Sequence, residues 1–161
     1  MRILGFVMFL LCSATPALAQ HTVFLIRHAE KQLDVPDPAL TNQGRARATH
    51  WAALLAAAGI DAIYTSDALR TQQTGEIIAG DLGLGTTVWP ASDSAGLVDI
   101  LQFDHLDDRV LIVGHTETLP GILQLLGVNE TVSLSPAEFD YLFIVYGLDT
   151  GAPTLLHLLM P

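Results

Sequence analysis

The sequence predicts an α/β protein, a three-layer α/β/α sandwich built on a mostly parallel sheet. Three observations carry this. Short apolar runs, Val23-Phe24-Leu25-Ile26, Ile63-Tyr64 and Val110-Leu111-Ile112-Val113, read as buried strands. They alternate with segments of helical periodicity, the order expected of crossover units. No repeat, low-complexity tract or interdomain linker interrupts the 161 residues, a length that suits one domain with a real core.

The elements follow in order. After the first strand, residues 32–40 form a loop that Pro36 and Pro38 bias towards extended geometry. Thr41 is expected to cap a helix reaching about Ala58, with Ala48, Trp51, Ala52, Leu55 and Ala58 on its apolar face and Gly59 just past its end. Residues 60–65 read as the second strand, and Ser66 or Asp67 as the cap of a second helix ending near Gly80. A short strand at 86–89, a helix around 97–105, the strand 110–113 and a helix at 120–126 come next, with Pro120 suited to a first helical turn. Residues 139–146 and 154–159 are two strands joined through Asp149-Thr150-Gly151, expected to pair as a hairpin at or near the sheet edge.

Residues 1–19 read differently from the rest. Arg2 is a minimal positive region, residues 3–11 are almost wholly apolar, and Ala17-Leu18-Ala19 offers the small residues a signal peptidase needs. The expectation is a signal peptide at 1–19, a domain at 20–161, and export to a periplasm or the outside. An apolar run of about nine residues is too short to span a bilayer of roughly 30 Å, so no stable membrane span is expected after processing; an uncleaved, tethered form is the alternative. Cys12, the only cysteine, lies in this leader. The remaining chain would hold 6 Lys+Arg against 17 Asp+Glu, a net charge of −11, which disfavours nucleic acid and anionic membranes as partners.

With so few cations, their placement is informative. Arg27 and Lys31 follow the first strand, and Arg70 falls in the first turn of the second helix, where the helix dipole disfavours it. Arg45 and Arg47 open the first long helix and read as a solvated face, with a substrate-facing Arg45 as the alternative. His28 and His115 also stand at strand exits, the place where ligands sit in open α/β sheets. Two arginines and two histidines suit a tetrahedral oxyanion. Arginine matches phosphate oxygens with forked donors, and histidine can attack phosphorus and hold the phosphoryl group as a phosphoramidate. His21, His50, His105 and His157 show no metal-ligand spacing and read as structural. The sequence has neither a Gly-x-Ser-x-Gly elbow nor a Gly-x-x-x-x-Gly-Lys loop.

Leu25-Ile26-Arg27-His28-Ala29-Glu30, then Tyr64-Thr65-Ser66-Asp67-Ala68-Leu69-Arg70-Thr71-Gln72-Gln73-Thr74, then Val113-Gly114-His115-Thr116 resemble the three successive signatures of the histidine phosphatase superfamily, the phosphoglycerate mutase-like fold. Leu40-Thr41 with Gly44 resembles its intermediate Leu-Thr-x-x-Gly segment. The resemblance implies that His28 is the phosphorylated nucleophile and that Arg27, Arg70 and His115 bind phosphate, His115 also stabilising the transition state. It adds Thr41 and the Thr116 backbone as further pocket groups and implies no metal and no cofactor, since cationic side chains neutralise the phosphoryl oxygens.

The proton donor is not fixed by these motifs. In the phosphoglycerate mutase branch it is a Glu between the second Arg and the second His, yet no Glu occurs from Ile77 to Val113. In the phytase-like branch it lies just after the second His, and Glu117 stands two residues on. Glu117 is therefore the favoured candidate, with Glu30, Asp93 and Asp99 as alternatives. Only 44 residues separate Arg70 from His115, little for the lid a mutase would need. The expected activity is a metal-independent phosphohydrolase acting on a small phosphorylated substrate or a phosphorylated envelope component. The rival is a phosphate-binding domain of the same fold with weak or no turnover.

Overall fold

The computed structural model describes residues 21–160; the leader expected at 1–19 lies outside them. Six strands form one sheet in the order β3-β2-β4-β1-β5-β6, where β1 is Thr22–Arg27, β2 Ala62–Ser66, β3 Thr87–Trp89, β4 Arg109–Gly114, β5 Tyr141–Tyr146 and β6 Thr154–Leu159. The first four strands in this order are parallel, so their carboxyl ends emerge along one edge. β5 and β6 are antiparallel additions, the edge hairpin the sequence predicts, turning through a short 3-10 segment at Leu148–Thr150.

Both faces of the central strands are covered, which is why they are unbroken apolar runs. On one face Phe24, Ile26, Ile63, Leu111 and Val113 pack against Trp51, Ala52 and Leu55 of α1 (Asn42–Leu55) and Ile78 and Ala79 of α2 (Leu69–Leu82). On the other, Val23, Leu25, Val110 and Ile112 meet Leu97, Val98 and Leu101 of α3 (Ser94–Asp104) and Leu119, Ile122 and Leu123 of α4 (Leu119–Leu125). Odd and even strand residues thus serve opposite layers. No helix among the described residues is long and apolar enough to cross a membrane.

Element ends depart from the sequence reading where capping comes from elsewhere. α1 stops at Leu55, because the chain tightens into a turn from Leu55 O to Ala58 N (2.9 Å) before Gly59 adopts φ +67°. α3 begins at Ser94, because the Asp93 carboxylate accepts from Gly96 N–H at 2.9 Å and serves as its cap. Neither Ser66 nor Asp67 caps α2. Asp37, in the loop before α1 and itself at φ +43°, accepts from Leu69 N–H at 2.9 Å instead.

Thr41 caps α1 as expected, its hydroxyl accepting from Gly44 N–H at 3.0 Å. The Leu-Thr-x-x-Gly segment then has a packing meaning. A Cβ on Gly44 would collide with the backbone carbonyl of Glu30, so only glycine lets the first turn of α1 lie against the segment that follows β1. Gly44→Ala is expected to lower unfolding free energy by about 1–3 kcal/mol in urea titration. An unchanged denaturation midpoint would refute the close approach.

Candidate active site

Strand register brings the site together. β1 and β4 pair so that Arg27 lies opposite Gly114, and His28 N–H extends the ladder to Gly114 O at 2.9 Å. The next residue of each chain segment is a histidine, and the rings of His28 and His115 meet edge-on with centroids 5.4 Å apart. Register between β2 and β4 sets Thr65 against Val113, which places Ser66 beside the same turn. Arg70 follows in the first turn of α2, with Nη2 3.2 Å from His115 Nδ1. Arg27, His28, Arg70 and His115 are thereby gathered at the carboxyl edge of the parallel strands, and Arg27, His28 and His115 are buried there.

The backbone fixes the tautomer of His28. Nδ1 lies 2.8 Å from Ala29 O, and a carbonyl only accepts, so Nδ1 carries the proton and Nε2 keeps its lone pair. Ala29 is held in turn, its N–H donating to Thr74 Oγ1 (3.1 Å), whose hydroxyl donates to Arg70 O (2.7 Å). Burial pushes the His28 pKa down to about 3, reinforced by the charges of Arg27 and Arg70 and by His115, against an opposing pull from the Ala29 hydrogen bond. The imidazole is therefore neutral near pH 7, the state a nucleophile requires.

Arg27 is fixed from a distant part of the chain. Its Nη1 donates to Pro136 O (2.7 Å), Glu138 O (2.9 Å) and Ser135 O (3.4 Å), and its Cζ sits 4.0 Å from the centre of the Phe139 ring. The Phe139 ring also meets His28, 6.0 Å between centroids. Arg27 Nε and Arg70 Nε are buried donors with no protein partner. Two orphaned guanidinium N–H groups flanking a nucleophilic imidazole fit the oxygens of a tetrahedral anion. Burial lowers the pKa of His115 as well, Arg70 adds to this, and Glu117 opposes it.

The other candidates are placed as follows. Glu117 is exposed in the turn after His115, and its charge acts on both Arg27 and His115. Thr116 is half-buried beside it. The Thr41 hydroxyl is spent on capping α1 and on Glu30 O, 3.3 Å away, which removes it from the substrate pocket. Glu30 is gripped by Arg47, whose Nη2 and Nε lie 2.7 and 2.8 Å from Oε1, with Nε 3.0 Å from Oε2. Burial favours the protonated acid, but Arg47 outweighs it and holds the carboxyl below its usual pKa, which makes Glu30 a poor acid. This pair also corrects the reading of Arg47 as a solvated residue; Arg45 is exposed, as expected. Asp93 caps α3, and Asp99 is exposed on that helix.

Several site residues were invisible as such in the sequence. Ser66, Thr71 and Thr74 lie inside the second motif, but hydroxyl residues near a helix start read first as caps. The Ser135–Glu138 carbonyls and Phe139 carry no local signal, since their role exists only once β5 pairs beside β1.

Known proteins agree with this geometry. The model of the histidine phosphatase superfamily (branch 1) matches residues 23–93, which hold Arg27, His28 and Arg70. A protein of Cronobacter sakazakii named as a probable phosphoglycerate mutase, GpmB, is 37% identical over 92 residues, 53% of this chain and 42% of that one. The chain thus spans less than half the length of that curated relative. The protein histidine phosphatase SixA, solved with tungstate, has the same fold at TM-score 0.67 and 20% identity, over 86% of this chain and 96% of SixA. Phosphoserine phosphatase from Entamoeba histolytica superposes at TM-score 0.64 and 18% identity, over 83% and 94% of the two chains. Its motifs, its fold and its convergent arginines and histidines are similar to those of the histidine phosphatase superfamily, whose model matches the segment holding Arg27, His28 and Arg70.

Proposed function

We propose that this protein is an exported, metal-independent phosphohydrolase that works through a phosphohistidine at His28. The observation that carries the reading is the fixed tautomer of His28: Nδ1–H is tied to Ala29 O, so Nε2 is the free, neutral nitrogen between two arginines. In the first step Nε2 attacks phosphorus, the bond from phosphorus to the leaving oxygen breaks, and that oxygen takes a proton from Glu117 or from water. In the second, water attacks phosphorus and gives its proton to the Glu117 carboxylate or to solvent, the P–N bond breaks, and phosphate departs with His28 restored. Arg27, Arg70 and a protonated His115 neutralise the equatorial oxygens throughout.

Transfer to water rather than to a second substrate is supported by what lies between Arg70 and His115. Those residues complete α2 and then form β3, α3 and β4, leaving short connections and no segment for a lid. The tungstate complex of SixA supports a tetrahedral oxyanion as the ligand of this fold. Glu117, exposed at the mouth, is a weakly held acid, so the reading favours activated phosphoryl compounds, aryl phosphates, anhydrides or phosphoramidates, over alkyl esters. On the expectation that residues 1–19 are a cleaved leader, the substrate is to be sought among envelope or extracellular phosphates, and intact mass of the exported protein should correspond to a chain starting at Gln20.

Three outcomes are expected. Wild type should hydrolyse an aryl phosphate and, after an acid-free quench, carry an acid-labile phosphoryl group. His28→Ala should lose both, with turnover down at least about 10³-fold; a wild type as slow as this variant would favour the phosphate-binding domain instead. Glu117→Gln should slow alkyl phosphates by about 10²-fold while leaving aryl phosphates within a few-fold; equal losses on both would remove Glu117 as the donor.

Stability should depend on His28 through pH. Its folded pKa of about 3 lies below the unfolded value near 6.5, so below pH 6.5 the unfolded chain takes up a proton that the folded one refuses. Stability then falls as pH drops, by about 2 kcal/mol between pH 7 and pH 5 from this group alone. Urea unfolding of His28→Gln should show that much less loss over the same interval; parallel slopes for the two proteins would contradict a buried neutral His28.

A further inference from the structure

We propose that Ser66 is the positioning residue of His115, fixing its tautomer so that Nδ1 is the atom offered to the phosphoryl group. The inference rests on the phosphoryl-transfer reading of the site. It follows from donor and acceptor accounting. Arg70 Nη2, 3.2 Å from His115 Nδ1, can only donate, so Nδ1 holds a lone pair and the ring proton is on Nε2. Nε2–H points at Ser66 Oγ, 2.7 Å away. Ser66 Oγ also accepts from Ala68 N–H at 3.3 Å, which fills both of its lone pairs. Its own proton must then go to Thr71 Oγ1, at 2.7 Å, and the Thr71 hydroxyl donates to Ala68 O at 2.6 Å. The result is a one-directional chain, His115 to Ser66 to Thr71 to a backbone carbonyl, in which every hydroxyl has one role.

The residues of this chain are buried; Thr71 has no exposed surface and Ser66 retains 7%. Reversing the order would leave His115 Nε2 accepting from Ser66 and its Nδ1–H facing the Arg70 guanidinium, two donors head to head. The relay therefore holds the ring through its far nitrogen and keeps the near one unprotonated in the empty site. When a phosphate dianion enters between Arg70 and His115, its charge offsets that of Arg70. Nδ1 then takes a proton from solvent and hydrogen-bonds through it to a phosphoryl oxygen, while Nε2–H stays on Ser66. Because an imidazolium donates more strongly than a neutral ring, Ser66 favours the protonated state. Residues around His115 that also bear on its charge are Arg27, which opposes protonation, and Glu117 and Asp67, which favour it.

The test pairs nitrogen NMR of histidine-labelled protein, with and without tungstate, with pH profiles of aryl phosphate hydrolysis for wild type, Ser66→Ala and Ser66→Thr. Wild-type His115 should be the Nε2–H tautomer when empty and doubly protonated with tungstate. Ser66→Ala should show mixed tautomers, kcat lower by about 10–100-fold, KM within about twofold, and a basic limb of kcat moved to lower pH. Ser66→Thr keeps the hydroxyl; it should restore the tautomer and the limb. An Nδ1–H tautomer in wild type, or a Ser66→Ala protein whose tautomer and basic limb do not move, would overturn the proposal. If wild type hydrolyses nothing, the spectra still decide the role of Ser66, so failure of the proposed activity and failure of this inference remain distinguishable.

Discussion

The parallel pairing of β1, β4 and β2 is the constraint on which the site depends. Three strands that run side by side in the same direction must end side by side, and hydrogen-bonded register fixes which residues share that edge. Arg27 faces Gly114, and the chain beyond them continues as His28 and His115. A slip of two residues would preserve the faces packed by the helices yet separate these histidines by roughly 7 Å. The apolar layers select the alternation of the strands, but the backbone ladder, extended by His28 N–H to Gly114 O, selects the alignment.

Electrostatics accounts for the rest of the arrangement. The chain has a formal net charge of −10, and three of its seven Lys and Arg residues, Arg27, Arg47 and Arg70, are engaged at or beside one edge of the sheet. Arg27 is held by carbonyl dipoles and an aromatic face rather than by a carboxylate. That choice matters, because a carboxylate partner would neutralise the guanidinium and compete with an incoming anion, whereas a carbonyl positions it and leaves its charge unspent. Arg70 has Asp37 at 3.9 Å, a loose and solvent-exposed partner that an anion can outcompete. By contrast Arg47, further out, is bound in a fork to Glu30 and serves to pin the segment after His28 against α1.

Burial therefore has two uses in this fold. It sets both imidazoles below their ordinary pKa, which favours neutral rings between charged arginines. It also removes water from the reacting atoms, which strengthens each remaining dipole. For the reaction proposed, the interior supplies no acid for a leaving group. Glu30, Asp93 and Asp99 are occupied or turned outward, and Glu117 stands in solvent beside the mouth. A site strong in charge neutralisation and weak in proton donation follows directly from this distribution.

By itself the sequence determined the strands, the order of layers, and the polar residues that the strand exits present, because apolar runs and caps are local and three motifs in order specify the four central side chains. It also determined that Thr41 begins a helix, whereas the close approach of Gly44 to the Glu30 carbonyl emerged only in the fold. What only the tertiary structure decided are the pairings across long stretches of chain: Arg27 with the carbonyls of 135–138, Asp37 on the start of α2, Arg47 on Glu30, Ser66 on His115. A hydroxyl or carboxylate near a helix start satisfies the same local pattern whether it caps that helix or turns to a neighbour. Which it does depends on what the folded chain brings within 3 Å, and that is set by register and loop course rather than by sequence spacing.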